Sequence, residues 1–336
     1  IFSAQKLGAI CLNYTSLVSL KKNQTKFNLI LKDEITGENY AVQSQAVINA
    51  TGPFSDHIRL MANPKLSERM TVSRGAHIVL DSSFFPGENS LLIPKTKDGR
   101  VIFVIPFRSY TLIGTTDDPD QLSENPEILE TEKEYLLNYF NLYAHKQATK
   151  EDIKGVFVGQ RPLVSMHPDE EKDTKSLVRD HLVEYDNESG LISILGGKWT
   201  TYRVMAEDTV NTMEEKIFKK EPSECKTHNF ILVGGEKFDQ SLLNDIQLDQ
   251  KEKDQILAHW HEIYGSESVK VKEICNSQEN GWEPILTGYP YRKGEITYLK
   301  NYESVVKNQD IVERRWGISL RDIKLSDAIL KLISEE

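Results

Sequence analysis

The chain has 336 residues, of which 39% are hydrophobic and 27% are charged, as is typical of a globular protein large enough for two domains. Its 51 acidic and 41 basic residues give a net charge of -10, which argues against a general surface for nucleic acid or acidic lipid. The 3 cysteines are far apart and match no metal or redox spacing, and no stretch approaches the roughly 20 apolar residues of a membrane span. We therefore expect reduced thiols in a cytosol-facing protein whose membrane contacts are peripheral.

The first part of the sequence predicts one short helix and a series of strands. Residues 1–7 have the pattern of a helix end that Gly8 stops. Strands are predicted over 9–21, 26–33, 39–46 and 47–50. The second and third form a hairpin around Gly37, and the fourth is a buried strand that leads into Gly52 and a helix. A strand that ends in a glycine turn is a frequent ligand-binding position, although the same residues also make an ordinary turn.

The middle of the chain predicts an antiparallel meander that carries a histidine. Residues 70–80 form a strand interrupted at 74–76, and His77 follows the interruption. A lone histidine in an apolar strand is more often a hydrogen-bonded core residue than a functional one. Three further strands are predicted over 91–94, 101–106 and 111–116. The last of them ends in a polar cluster, 114–118, which suits either a site at a strand end or an ordinary turn.

Two arginines follow a predicted helix over 122–146. Arg161 lies among apolar residues of a strand over 156–164, and Pro162 is expected to end regular pairing just after it. An unpaired buried guanidinium is costly, so Arg161 must meet an anion. Arg179 precedes the next strand, and the two arginines together would suit a phosphate. Each could instead pair with a neighbouring acidic side chain.

A strand-to-helix corner follows. Residues 191–195 predict a strand buried on both faces, and from Tyr202 the apolar residues recur at helical spacing. Gly196 and Gly197 lie between the two elements, where the lack of a Cβ lets a ligand approach and the helix start offers free N–H groups. Lys198 adds a positive charge, so the corner suits an electron-rich or anionic ring edge. The alternative is a common turn with an exposed lysine.

The last third of the chain is predicted to be helical. Residues 214–235 are polar and are interpreted as a linker. Short amphipathic helices are predicted over 241–248, 251–264, 268–275, 293–301, 310–317 and 326–334. His259 and His261 are two residues apart and fall on different helix faces, so we do not expect them to share a metal ion.

Several stretches together carry a resemblance that none of them would support alone. They occur in order at 47–53, 75–80, 92–106, 113–117, 159–164, 178–181 and 196–210. On these stretches the sequence resembles the FAD-dependent glycerol-3-phosphate dehydrogenases, and the likeness continues through the helical tail. That family begins with a βαβ unit bearing the fingerprint G-x-G-x-x-G, which this sequence does not contain. We therefore expect the sequence to correspond to the C-terminal two-thirds of such an enzyme.

The resemblance implies a mixed fold of α/β and α+β character in three parts. A partial glutathione-reductase-like FAD-binding domain would comprise residues 1–56 and 186–215. An antiparallel sheet domain for the substrate would comprise 57–185, and an all-helical C-terminal domain would comprise 236–336. The cofactor-binding and substrate-binding parts are thus expected to be interleaved along the chain.

The same resemblance assigns contacts with FAD to residues of this chain. Val18 would meet the adenine side through its backbone, and Gly52 would lie near the phosphates or the ribose. The residues that would line the isoalloxazine ring are Gly196, Gly197, Lys198, Trp199 and Thr200. The helix start at this corner suits the ring, because N–H groups there can stabilise negative charge on the reduced flavin.

For the substrate, the resemblance implies that four basic side chains surround sn-glycerol 3-phosphate. Arg179 and Lys198 would bind the phosphate, and Arg161 would hold the hydroxyl end and stabilise alkoxide character. His77 would take the C2 hydroxyl proton as hydride leaves C2 for flavin N5, a task that Arg161 could share electrostatically. The product would be dihydroxyacetone phosphate.

The electron acceptor and the partners are also expectations of the resemblance. The related oxidases carry an insertion in their substrate domain, and none is evident between Arg161 and Arg179. This favours a dehydrogenase that passes electrons to quinone rather than to oxygen. A homodimer, a peripheral membrane contact through the helical tail, and a location in the cytoplasm or at the cytoplasmic face of the inner membrane are further expectations.

Two other functions compete with this interpretation. An amine or amino-acid oxidase of the same superfamily would need one arginine for a carboxylate in an otherwise apolar pocket. Two arginines and Lys198 favour a phosphate instead. A non-catalytic fragment that serves as a binding module is the second alternative, because the nucleotide fingerprint is missing.

Overall fold

The computed structural model describes residues 1–94, 96–165 and 180–335. The chain begins with a short helix and a three-stranded sheet. Helix α1, Phe2–Lys6, ends before Gly8, whose φ is 93°. The strands of the first sheet pair antiparallel in the order β1-β2-β3 and comprise Thr15–Lys22, Phe27–Asp33 and Asn39–Ser44. The predicted hairpin is confirmed, with Gly37 at a φ of 78° in its turn.

A small mixed sheet brings distant parts of the chain together. Strand β4, Ile48–Asn49, pairs parallel with β12, Ile192–Gly196, and β12 pairs antiparallel with β11, His181–Tyr185. Helix α2, Ser55–Ala62, contacts β4 and β12. The sequence predicts that β4 is buried, which is only partly right, because Ile48 is 39% exposed at the sheet edge whereas Asn49 is buried.

The largest sheet is antiparallel and has helix α3, Glu130–Asn141, on one face. Its strands pair in the order β10-β5-β8-β7-β6, and the short β9 also pairs with β5. In chain order, β5 to β10 comprise Met70–Asp81, Leu91–Ile93, Ile102–Phe107, Tyr110–Gly114, Asp118–Pro119 and Gly155–Val164. The core between this sheet and α3 includes the buried side chains of Ile78, Leu80, Ile102, Val104, Ile113, Leu136 and Phe140.

Three sequence predictions about this sheet domain were wrong. Strand β5 is continuous through Gly75, because Gly159 lies directly opposite and the ladder needs no bulge. Pro162 does not end the pairing of β10, because β10 lies at the sheet edge and proline is tolerated there. Helix α3 begins at Glu130 rather than at 122, because Pro126 disfavours helical backbone at the residue before it.

The C-terminal part is helical and has its own core. Helix α4, Tyr202–Lys216, is followed by an irregular segment and then, within the described residues, by five helices, with a π-helical turn at Ile311–Arg315 before the last of them. Helices α5, α6, α7, α8 and α9 comprise Gln250–Ile263, Ser268–Ser277, Lys293–Tyr302, Asn308–Asp310 and Ile323–Glu335. Their core includes Ile256, Trp260, Leu299, Trp316 and Ile329. No helix in the described part of the chain is both long and apolar enough to cross a bilayer.

One predicted helix is absent from this part of the structure. Residues 241–248, which are all described, form turns, and the adjacent Leu242 and Leu243 are both buried. The Asp239 carboxylate accepts hydrogen bonds from the amide and hydroxyl of Ser241, a local turn motif that competes with helix formation. His259 is buried against Glu295, with 2.8 Å between Nε2 and Oε2, whereas His261 packs against Phe238.

Candidate active site

The side chains of His77 and Arg161 lie on the same face of the antiparallel sheet. In the pairing of β5 with β10, Arg161 is opposite Ser73 and Phe157 is opposite His77. Because side chains alternate between the two faces of a strand, residues 73, 75 and 77 share a face with 157, 159 and 161. The core residues packed against α3, such as Ile78, lie on the other face. The sheet therefore brings together two of the predicted site residues.

The guanidinium of Arg161 is held by the segment that follows β8. Its Nη1 donates to Oδ1 of Asp117 and to the carbonyl of Arg74, both at 3.1 Å. Its Nη2 donates to Oγ1 of Thr115 at 3.0 Å and to the carbonyl of Thr116 at 3.1 Å. Within the described residues, the acidic neighbour Asp117 supplies the anion that the sequence predicts for Arg161. The Arg161 side chain is nevertheless 29% exposed, so part of it is accessible from the open face.

Two glycines make room for the candidate site side chains. A Cβ on Gly75 would collide with the guanidinium of Arg161 and the hydroxyl of Thr115. A Cβ on Gly114 would collide with the imidazole of His77. Any larger residue at either position would displace a candidate site residue. Glycine at these positions is therefore explained by the side chains that cross over it.

His77 is a partly buried, neutral imidazole. Its ring stacks on Phe157 with 4.6 Å between centroids and 11° between planes. Its buried Nδ1 makes no hydrogen bond of normal geometry within the described residues. Burial, in the first place, and the positive charge of Arg161 lower the pKa of His77 to about 4. The ring is therefore uncharged at neutral pH and able to accept a proton.

The predicted strand-to-helix corner is confirmed in structure. Strand β12 ends at Gly196, and a 3₁₀ turn, Trp199–Thr201, leads into α4. Gly196 and Gly197 have φ values of 68° and 86°, which favour glycine. A Cβ on Gly197 would also collide with the thioether of Met205. These glycines are therefore required by the path and packing of the chain itself, in addition to any ligand they approach.

An apolar groove of about 580 Å³ runs along this corner. It is lined by residues of β4, β12 and α4 and by Pro162, the neighbour of Arg161. Five of the predicted cofactor residues line it, namely Gly52, Gly196, Gly197, Lys198 and Trp199. The indole of Trp199 is 88% exposed and stacks on Tyr202 with 5.8 Å between ring centroids. The groove is thus a wide opening with exposed aromatic rings at its rim.

The remaining predicted site residues lie elsewhere or outside the described residues. Val18 is in β1 and is 47% exposed, and it does not line the groove. Thr200 is exposed in the 3₁₀ turn, next to the groove residue Trp199. Arg179 lies outside the described residues, so its placement relative to Lys198 stays a prediction.

Two protein families match parts of this chain. Residues 2–203 match the family described as FAD dependent oxidoreductase. The chain belongs to the FAD dependent oxidoreductase family. Residues 225–336 match a second family, described as the C-terminal domain of alpha-glycerophosphate oxidase. The first match covers the sheets and the groove residues outside α4, and the second covers the helices from α5 onward.

Curated proteins are similar to this chain over almost its whole length. A probable mitochondrial glycerol-3-phosphate dehydrogenase of Dictyostelium discoideum is 38% identical over 99% of this chain and 54% of its own length. The mitochondrial glycerol-3-phosphate dehydrogenase of Homo sapiens is 32% identical over 99% of this chain and 47% of its own length. This chain therefore spans about half the length of these curated relatives.

A solved structure is also similar to this chain over almost its whole length. The glycerol-3-phosphate dehydrogenase of Bacillus halodurans complexed with FAD is 28% identical, with a TM-score of 0.83, over 99% of this chain and 66% of that one. The predicted family, and the predicted FAD-binding fold with a helical C-terminal domain, are confirmed. FAD, the predicted cofactor, is the cofactor of the family.

Sequence reasoning missed the groups that hold the two candidate residues. It placed the cluster 114–118 at a strand end but did not link it to Arg161. It also did not identify Phe157 as the stacking partner of His77. Both relationships depend on the register of β5 against β8 and β10, which the sequence does not specify. The alternation of Phe157, Gly159 and Arg161 along one strand was the available signal.

Proposed function

We propose that this chain forms the substrate site and part of the cofactor site of an enzyme that oxidises sn-glycerol 3-phosphate to dihydroxyacetone phosphate with FAD. One observation carries the proposal: His77 and Arg161 share the open face of a sheet whose edge strand contributes Pro162 to the apolar groove. The relatives named glycerol-3-phosphate dehydrogenases support the choice of substrate.

The residues of the groove fit the flavin part of FAD. Its walls include Ile48, Ile194 and Met205, which suit a flat aromatic ring system. Lys198 at its rim offers a positive charge, and the α4 helix start adds the favourable end of a helix dipole. When bound there, FAD would supply a hydride acceptor at its N5 atom. Val18 and Gly52 are proposed contacts for the adenine side and for the phosphates or ribose.

The side chains of the chain itself would bind and polarise the substrate. Arg161 would hold the C2 hydroxyl and stabilise the negative charge that develops on its oxygen. His77, neutral above a pKa of about 4, would accept the hydroxyl proton on a ring nitrogen. Because so weakly basic an imidazole needs help at neutral pH, the charge of Arg161 is proposed to do a large part of the work. Arg179 and Lys198 are proposed to bind the phosphate.

Several finer expectations stay part of the proposal. Quinone is proposed as the electron acceptor rather than oxygen. The division into 1–56 with 186–215, 57–185 and 236–336 is kept as the proposed domain organisation. The homodimer, the peripheral membrane contact and the cytoplasmic or cytoplasmic-face location remain predictions.

A turnover assay with several substrates and acceptors tests this proposal. The FAD-bound protein is mixed with sn-glycerol 3-phosphate, glycerol or an amine, and with a soluble quinone or with oxygen alone. We expect equal amounts of dihydroxyacetone phosphate and reduced quinone from glycerol 3-phosphate, and no turnover of glycerol or the amine. Turnover of the amine would favour the amine-oxidase alternative. Efficient peroxide formation with oxygen alone would contradict the quinone assignment.

A further inference from the structure

A buried carboxylate beneath the sheet is linked to the segment that holds Arg161. Glu132 is in the first turn of α3 and is 5% exposed. Its Oε1 accepts a hydrogen bond from the Thr116 hydroxyl at 2.8 Å. Its Oε2 accepts from the Leu129 amide at 2.9 Å and pairs with Nη2 of Arg74 at 3.1 Å. Both oxygens of this buried carboxylate are therefore satisfied.

Thr116 connects this carboxylate to the open face of the sheet. Its hydroxyl accepts a hydrogen bond from the Ala76 amide at 2.9 Å while it donates to Glu132. Its backbone carbonyl accepts from Nη2 of Arg161 at 3.1 Å. The side chain of Thr116 is thus fixed from the core side, and its backbone receives the guanidinium on the other side.

Arg74 makes a second connection between Glu132 and Arg161. Its guanidinium pairs with Glu132 on the core side, and its carbonyl accepts from Nη1 of Arg161 at 3.1 Å. Two of the hydrogen-bond acceptors of Arg161 therefore belong to residues whose side chains bind Glu132. Buried hydrogen bonds of this kind hold the backbone in place, because breaking one of them leaves a buried polar group without a partner.

We infer that Thr116 and Glu132 are positioning residues for Arg161. They hold the backbone at 115–117 in the place where its carbonyl and hydroxyl groups receive the guanidinium. The inference rests on the proposed function, in which Arg161 acts on the substrate. Neither residue needs to contact substrate or cofactor, because their effect is transmitted through the backbone of Thr116.

Substitution of Thr116 tests the inference without changing any charge. Thr116→Val removes the hydroxyl and keeps the shape, whereas Thr116→Ser keeps the hydroxyl. Thr111→Val is the matched control, because Thr111 is also fully buried in this sheet and its hydroxyl has no hydrogen-bond partner within the described residues. Any loss of stability common to buried threonines will appear in this control.

The first readout needs neither flavin nor substrate. The imidazole of His77 is titrated by NMR, with its signal assigned from a His77→Gln spectrum. Among the described residues, the charge that lowers the pKa of His77 is that of Arg161, which pairs with Asp117. If Thr116→Val lets Arg161 move away, the pKa of His77 will rise from its low value, whereas Thr116→Ser and Thr111→Val will leave it unchanged. An unchanged pKa in Thr116→Val would overturn the inference.

The second readout is the rate of anaerobic flavin reduction by saturating glycerol 3-phosphate. A misplaced catalytic group typically costs about 10- to 100-fold, and we expect that loss for Thr116→Val and Glu132→Gln. In an Arg161→Met background the same changes should cost nothing further, because the group they position is gone. Full additivity in that background would contradict the inference. Failure of the parent protein to use this substrate would contradict the proposed function alone, since the His77 titration is independent of it.

Discussion

The guanidinium of Arg161 lies in the space that a Cβ atom of Gly75 would occupy. Directly opposite Gly75 on the neighbouring strand is Gly159, where a Cβ would meet nothing within 4 Å. The two glycines share a face of the sheet, but a candidate site side chain crosses only Gly75. This difference makes them a matched pair for testing the role of Arg161.

Gly75→Ala is expected to disable the site without unfolding the sheet. The added methyl group must displace the Arg161 guanidinium or the Thr115 hydroxyl. We expect the rate of flavin reduction to fall about 100-fold, since small displacements of a positioned group have effects of that order. Gly159→Ala should reduce the rate less than twofold. Equal rates for the two variants, measured by anaerobic stopped flow, would show that the position of Arg161 does not matter.

The low pKa of His77 predicts a loss of stability in mild acid. The pKa of this imidazole is about 4 in the folded chain against 6.5 in the unfolded chain, so the unfolded chain binds the extra proton first. Stability is therefore lost as pH falls through 6.5 toward 4. Between pH 7 and pH 5 the loss from this residue should be about 2 kcal/mol.

The variant His77→Gln isolates this contribution. Its unfolding free energy, measured by urea titration at both pH values, should fall less on acidification than that of the parent. His57→Gln, at an exposed position of α2, is the control and should behave as the parent does. The same acid sensitivity in His77→Gln and in the parent would contradict the assigned pKa.

Glu303 in the helical part should show the opposite pH dependence. Burial raises the pKa of this carboxyl to about 7, although Arg315 lies 3.6 Å from it. Because the folded chain disfavours the charged form, stability is present at low pH and is lost as pH rises through 7. Glu303→Gln should raise the unfolding free energy by roughly 2 kcal/mol at pH 8 and change it little at pH 4.5. Glu313→Gln, at an exposed position, should leave the unfolding free energy nearly unchanged at both pH values. Stabilisation by Glu303→Gln at both pH values would refute the mechanism.

Filling the apolar groove should prevent flavin binding. Ala206 of α4 lines the groove, whereas Val204 of the same helix is exposed outside it. Ala206→Trp should therefore lower the flavin content of the purified protein at least tenfold, and Val204→Trp should retain it. The ratio of the absorbance at 450 nm to that at 280 nm gives the flavin content of each variant directly. The expected tenfold difference is an order-of-magnitude value for blocking a pocket. Full flavin content in Ala206→Trp would place the flavin outside the groove.

Local features of the fold could be predicted from the sequence because they depend on neighbouring residues. The corner at Gly196 and Gly197, the hairpin at Gly37 and most helices follow from turn residues and periodicity. The continuous course of β5 through Gly75 could not, because Gly159 on a distant strand completes its ladder. The turns at 241–248 also depend on tertiary packing, since both adjacent leucines there are buried.

The candidate site was predictable in its residue types but not in its internal contacts. The charge of Arg161 in an apolar strand indicated that an anion had to be near, yet several acidic residues were candidates. Its partnership with Asp117 depends on where β8 ends relative to β10. The low pKa of His77 also depends on burial of its ring and on the charge of Arg161. His77 and Arg161 are far apart in the sequence. Register between distant strands is the missing information.

Anaerobic reduction of bound flavin is the most direct test of the central claim, that this site oxidises C2 of glycerol 3-phosphate. The flavin spectrum of the FAD-bound protein is recorded before and after addition of the substrate without oxygen. We predict bleaching of the bound flavin, and a slower rate when C2 carries deuterium, because the C2–H bond is broken in the step. Bound flavin that glycerol 3-phosphate does not bleach would contradict the claim.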